Sequence, residues 1–293
     1  MAVRPKFVNR PAPTATGPQP VTSMEVTREA LWLLQALCGV ERMPAVLVTR
    51  PFTDTGDPAE RPWGHPGVEV LREKGLVFGD QVHPQVRLWM ETLGAPDVVL
   101  AAMIRRGGQN LRLAIARRGE VTVSAIQHED DLAVEYLGHS ATVSSLVDRL
   151  LPVCGPQVQP AQFDAVSVPT ADLLEALGQV ARGEHSAATV FTSLGMDSDQ
   201  YRVVTMAADH PIMELSMTAM TPDDAGRIEV SRTAATVTDT ALGRVLTGPI
   251  RSDNGSWWTL ITPGTTAAIK SSVSAVLGMV DIREWNDATP RRR

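Results

Sequence analysis

One pattern of helix, turn, strands, turn and closing helix is written twice along this chain, and that duplication limits the folds open to it. Leu93-Gly-Ala-Pro-Asp97, followed by the apolar run Val98–Met103, has its counterpart in Met206-Ala-Ala-Asp-His-Pro211 followed by Ile212–Met217. Leu137-Gly-His-Ser-Ala-Thr-Val-Ser-Ser-Leu146 likewise matches Thr262-Pro-Gly-Thr-Thr-Ala-Ala-Ile-Lys-Ser-Ser-Val273. The first copy runs from Pro66 to Val153 and the second from about Leu173 to Val280. Two copies with a period of roughly a hundred residues do not make a solenoid, whose repeats are shorter and more numerous. They predict an α+β fold in which two small meanders merge into one central antiparallel β-sheet with pseudo-two-fold symmetry. A duplicated helix–meander–helix of this kind presents surfaces, so catalytic chemistry needs separate support.

At 293 residues, with 43% hydrophobic and 20% charged residues, the chain can bury a substantial core. Its formal charge of −6 argues against a general nucleic-acid binder. No apolar run reaches the roughly 20 residues that a membrane-spanning helix needs. The start lacks the apolar stretch of a signal peptide, which points to the cytoplasm. Cys38 and Cys154 both sit in apolar stretches and read as small buried hydrophobes rather than a disulfide or metal pair.

Residues 1–23 hold five prolines and almost no large apolar side chains, and are expected to form a disordered tail. A single domain then spans 24–285, with halves of about 24–153 and 170–285, and 286–293 is a polar tail. Glu25–Leu37 reads as an amphipathic helix capped by Thr27 and stopped at Gly39. Ala45–Arg50 reads as a short strand, Gly67–Lys74 and Pro84–Leu93 as helices, and Leu173–Ala207 as several short helices broken near Gly183, Gly195 and Asp197-Ser198. Ala267–Val280 is the closing helix.

Leu111–Arg117 and Glu120–Ile126 alternate apolar with polar residues and are joined through Arg118-Gly119, a hairpin signature. In the second copy Met213, Leu215 and Met217 alternate with Glu214, Ser216 and Thr218, and Ile228 and Val230 with Glu229 and Ser231. A period of two with one apolar side predicts a sheet covered by helices on one face only. Val123 and Leu215 would then be buried, with Ser124 and Ser216 on an open face.

The six histidines show no i, i+4 pair, and no Cys-x-x-Cys is present, so the residues supply no metal framework. His128-Glu-Asp-Asp131 lies between two strand patterns and reads as a solvated turn. Gly107-Gly108 reads as a tight turn rather than a phosphate loop, and no G-x-S-x-G elbow occurs. Trp257-Trp258 on a strand should place one ring inside and one outside. No catalytic constellation or cofactor is expected. The alternative to a binding protein is a hydrolase or small-molecule binder using Glu214 and the hydroxyls of the polar sheet face.

Six segments in order resemble the EspG family of chaperones of mycobacterial type VII (ESX) secretion systems. They are Met24–Leu37, His65–Val77, Val82–Val86, Ala114–Ile126, Leu242–Leu246 and Ser256–Thr265. The resemblance covers about Met24 to Trp285. It implies a central sheet with two helical bundles and a cytosolic, non-catalytic function: binding the helical tip of the PPE subunit in PE–PPE heterodimers, keeping them soluble and targeting them for secretion. Residues carried over as partner-binding are Arg105, Arg106, Gln109 and Asn110 on the inter-strand loop, and Arg112, Glu214, Ser216 and Thr218 on the sheet. A third group is Ser193, Leu194, Met196, Asp197 and Asp199 in the helical region. The expected state is a monomer or weak homodimer, without nucleic acid or a membrane span. The inter-strand loop is long in some relatives and only Arg105–Asn110 here.

Overall fold

The structure is a computed structural model that describes residues 20–50, 62–223, 225–253 and 255–286. The disordered-tail expectation for 1–19 and the end of the polar tail, from 287 on, lie outside them. In chain order, the first half contains β1 (Ser23–Thr27), α1 (Arg28–Cys38), α2 (Gly67–Glu73), a small hairpin β2 (Val77–Phe78) and β3 (Gln81–Val82), and α3 (Pro84–Gly94). The meander β4 (Val98–Arg106), β5 (Gln109–Arg118), β6 (Val121–His128) and β7 (Asp131–Gly138) follows, closed by α4 (Val143–Val153). The second half opens with β8 (Val166–Pro169), α5 (Thr170–Ala181), α6 (Ala187–Ser193) and α7 (Ser198–Asp209). It continues with β9 (Met213–Pro222), β10 (Ile228–Val230), β11 (Ala235–Thr240), β12 (Gly243–Arg251), β13 (Trp257–Pro263) and α8 (Thr266–Gly278).

Eleven strands form one sheet in the order β1-β7-β6-β5-β4-β9-β11-β12-β13-β8, with β10 added to the end of β9. Every pairing in it is antiparallel, and the order reads inward from either edge as the same sequence of elements. The edge strands β1 and β8 each precede a set of helices, and β4 and β9 meet at the centre through eight residue pairs from Val99↔Met220 to Arg106↔Met213. The matched sequence segments fall on matched places: Val98 and Met213 open the central strands, and α4 and α8 follow the last strand of each meander.

Local signals explain the helices. The Thr27 hydroxyl accepts from the Ala30 amide, and Gly39 ends α1 at φ 69°. Pro84 occupies the first turn of α3, where its missing N–H costs nothing. Thr142 and Ser145 close a reciprocal cap on α4.

The expectation of a sheet covered on one face is overturned. On the front face, α1 and α3 pack over Val99, Ala101, Ala114, Ala116, Val123 and Ala125. On the back, α4 and α8 cover Leu100, Ala102, Ile104, Leu113, Ile115, Leu215, Met217 and Val237. The reason is register. Arg118 pairs with Val121 across a two-residue turn, so odd positions of β5 oppose even positions of β6. Ile115 therefore faces the same way as Ser124, and Ala116 the same way as Val123. The apolar stripes of the two strands point to opposite sides, and each found its own helices. Ser124 and Thr122 are buried beneath the back layer, and Trp285 closes it by donating its indole N–H to Thr122 Oγ1 at 3.1 Å.

Four further readings change. Ala45–Arg50 is not a strand; the Gln127 side chain accepts from the Val48 amide at 2.7 Å and donates to its carbonyl at 3.2 Å, replacing a strand neighbour. The fold starts upstream of Met24, because Val21 donates to Gln85 Oε1 and Thr22 accepts from the Tyr136 amide before β1 begins. Ile228 and Val230 are exposed while Ser231 is buried, since β10 pairs only with the end of β9. Both Trp257 and Trp258 are half-buried, and the Arg251 guanidinium lies 6.0 Å from the Trp257 ring centre.

Cys38 and Cys154 are free and belong to different apolar clusters. Burial pushes their thiols up to about 11 and about 12, which leaves little reactive thiolate at neutral pH.

Candidate functional site

Ladder registers decide which expected site residues meet. On β4, Met103 stands between Arg112 of β5 and Ser216 of β9, and Arg105 between Asn110 and Glu214. Ala101 opposes Thr218. Directly opposed residues share a face, so Arg105, Asn110, Arg112, Glu214, Ser216 and Thr218 form one strip on the front of the central strands. The front face on one side of this strip is under α1 and α3. On the other side α5, α6 and α7 cover Val245 and Ile261 through Leu173, Phe191 and Val203. The strip is the floor between two helical layers.

Its exposed character is mixed. Met103 is 36% exposed, with Ile212 and Val48 also exposed at the two margins. Arg105 Nη2 lies 3.1 Å from Glu214 Oε1, so the one carboxylate on which a hydrolase reading rests is tied to a guanidinium. Two shallow depressions flank the β4–β5 hairpin. One, of about 310 Å³, is lined by Arg105, Arg106, Gln109, Pro211, Ile212 and Glu214 among others. The other, of about 340 Å³, is lined by Arg28, Val48, Asn110, Arg112, Gln127 and Glu129 among others. The hairpin turn itself is Gly107-Gly108, both at positive φ (55° and 79°), as a two-residue turn of matching twist demands.

The remaining expected residues do not join this strip. Arg106 and Gln109 oppose each other on the back face, and the Arg106 guanidinium packs so closely on Gly155 that a Cβ there would overlap it. The 193–199 segment sits at the far end of α7, a helix of twelve residues and so about 18 Å long. Met196 is 4% exposed and presents no free apolar surface, and Leu194, packed against the same C-terminal helical core, is half-buried. Asp197 is the N-cap of α7: its carboxylate accepts from the amides of Asp199 and Gln200, and Gln200 Oε1 accepts from the Asp197 amide. The Ser193 hydroxyl donates to the Val190 carbonyl. Ser193, Asp197 and Asp199 are all exposed, and of the three only the Asp199 side chain serves neither a cap nor a backbone carbonyl, lying 3.5 Å from Arg202.

That placement gives a prediction. Asp197→Ala is expected to cost about 1 kcal/mol of stability by removing the cap, read as a lower urea midpoint, whereas Asp199→Ala should shift it by less than about 0.5 kcal/mol. Equal midpoints for the two variants would show that the cap contributes nothing.

Arg28, Val48 and Gln127 were not singled out from the sequence. Arg28 is linked to Asp130 at 2.5 Å, and Gln127 holds the Val48 backbone, so both help to build the wall beside Arg112. Nothing local in the sequence marks them, because the wall depends on which loop lies over β6. Among the described residues there is no grouping of three His, Cys, Asp or Glu side chains suited to a metal ion, and no helix long and apolar enough to cross a membrane.

Comparison with known proteins places this geometry. The profile of the EspG family matches residues 27–275. The ESX-5 secretion-associated protein EspG5 of Mycobacterium marinum (strain ATCC BAA-535 / M) is 28% identical over 296 aligned positions, covering 90% of this chain and 96% of that protein. The ESX-2 secretion-associated protein EspG2 of Mycobacterium tuberculosis (strain CDC 1551 / Oshkosh) is 29% identical, covering 87% and 94%. A solved structure of the Mycobacterium tuberculosis type VII secretion system chaperone EspG5, in complex with a PE25-PPE41 dimer, superposes with a TM-score of 0.78. It shares 24% identity and covers 90% of this chain and 99% of that one, which establishes the shared fold. With a family match across most of its length and the same α+β architecture, the chain belongs to the EspG family.

Proposed function

We propose that this chain is a non-catalytic chaperone of a type VII secretion system, acting in the cytoplasm on PE–PPE heterodimers through the tip of the PPE subunit. Family membership carries the reading, together with the solved relative's own complex with a PE25-PPE41 dimer. The front strip supports it. A surface that shields an aggregation-prone helical tip must offer apolar contact and satisfy polar groups beside it. Met103, Val48 and Ile212 next to Arg105, Asn110, Arg112, Ser216 and Thr218 have that mixture. Gln109 and Arg106 would contribute from the hairpin's other side. Asp199 would contribute only if the partner extends along α7, with Ser193, Leu194, Met196 and Asp197 holding that end of the helical layer in shape. The matched strand order also favours a pseudo-two-fold axis at the β4–β9 seam.

The test is co-expression with each PE–PPE pair encoded beside the gene or elsewhere in the same genome, followed by size exclusion. At least one pair is expected to co-elute with the chain as a stable complex and to become soluble only in its presence. If every pair elutes separately, the reading is overturned.

A further inference from the structure

The Arg105–Glu214 pair shows how this surface holds a carboxylate: a guanidinium on the front of the hairpin strands meets an acid presented by a neighbouring strand. One diagonal step along the same face, Arg112 offers a second guanidinium. Among the described residues no hydrogen bond or ion pair occupies it. It lines the depression of about 340 Å³ whose wall is Val48, held in place by Gln127, and whose rim includes Asn110 and Arg28. Arg28 is already balanced by Asp130. Among the described residues, then, this is a socket of the same make whose guanidinium pairs with no acid.

We propose that this depression receives an acidic side chain of the partner polypeptide, with Arg112 as its ion-pair partner and Val48 and Met103 as its apolar surround. The inference rests on the chaperone reading and adds the chemistry of the partner's tip. A single unpaired guanidinium suits one carboxylate. Glu129 on the same rim opposes every added negative charge, so the depression tolerates one carboxylate better than the several charges of a nucleic acid or a phosphate-rich ligand. With Arg105 tied to Glu214 and Arg106 on the back face, Arg112 is the guanidinium on this face that can orient an acidic side chain into the depression. Arg105–Glu214 stays closed in this picture and fixes the neighbouring strand, so discrimination falls to Arg112.

The experiment uses the full chain and the PE–PPE pair that co-elutes with it, with affinity measured by titration calorimetry. Arg112→Glu is expected to weaken binding about a hundredfold and Arg112→Ala about tenfold, within the range seen for charge pairs at interfaces. Arg112→Lys should recover part of the loss. Raising salt from about 50 to about 500 mM should weaken the wild type far more than Arg112→Ala, because screening acts on the lost charge pair. Reversing the partner's contacting Asp or Glu to Arg should restore binding to Arg112→Glu. Affinity within twofold for Arg112→Glu overturns the proposal while leaving the chaperone reading intact. Competition by millimolar inorganic phosphate, lost in Arg112→Ala, would make this a free-anion site and also overturn it. If no pair binds, the chaperone reading fails on its own. A labelled helical peptide bearing Leu and Glu, compared with its Gln counterpart by fluorescence anisotropy, then decides: equal binding of the two overturns the acidic socket.

Discussion

Asp239→Ala is expected to unfold this protein more readily than any surface change, by about 3–5 kcal/mol, because it strands a buried cation. Arg244 Nε and Nη2 reach the two oxygens of Asp239 at 2.6 and 2.9 Å, and the side chains are 6% and 4% exposed. The backbone of Arg244 is equally committed. Its amide donates to the Gln159 carbonyl, and its carbonyl accepts from Ala161 and Gly264, binding the crossover segment and the end of β13 to one residue. A Cβ on Gly243 would come within 2.8 Å of the Ala161 backbone, so the crossover lies directly on the β11–β12 turn. With about 2–4 °C per kcal/mol for a chain of this size, the melting temperature should fall by roughly 6–20 °C. The double variant Asp239→Leu/Arg244→Met should recover most of that, because the loss comes from an unpaired charge and not from the absence of an ion pair. A melting temperature for Asp239→Ala within about 2 °C of wild type, less than 1 kcal/mol at this size, would show that water reaches Arg244.

The second large effect separates a sheet covered on both faces from one covered on a single face. Val123→Asp should cost about 4 kcal/mol or more, since it puts a carboxylate under the α1–α3 layer at a position with no exposure. Ser124→Asp should be nearly as damaging, about 3 kcal/mol, because Ser124 is 4% exposed and opposes Ile115 on the back face. Ser216→Asp, on the open strip and near two guanidinium groups, should stay within about 1 kcal/mol of wild type. Chemical denaturation of the three variants decides. A tolerated Ser124→Asp would contradict the back layer of α4 and α8.

Much of this architecture was legible in the residues. Thr27 and Gly39 bound α1, Pro84 opens α3, and the glycine and aspartate breaks divide α5, α6 and α7. The strand order reads alike from either edge, which is the order that two copies of the duplicated pattern would produce. What was hidden depends on partners remote in sequence. β1 and β8 are short edge strands whose few residues carry too little alternation to announce themselves. The uninterrupted apolar run at the start of β4, and Ala114 and Ala116 in β5, were signs of burial on both sides, yet small alanines are easily read as neutral. The same holds for the site. Alternation correctly grouped Glu214, Ser216 and Thr218 with one another. Their meeting with Arg105 and Arg112 needed the β4–β9 register, and the fate of Met196 and Asp197 needed the cap of α7.

The central seam has a consequence for synthesis on the ribosome. β4 is finished by Arg106, but the strand that completes its second edge ends only at Pro222. At about 5–20 residues per second, roughly 5–20 s pass between the two. Through that interval the nascent first half carries Val98–Ile104, a nearly uninterrupted apolar ribbon, at the open border of its meander. The chain is thus itself, while being made, in need of cover, and slowing translation between residues 107 and 212 should raise the fraction that aggregates.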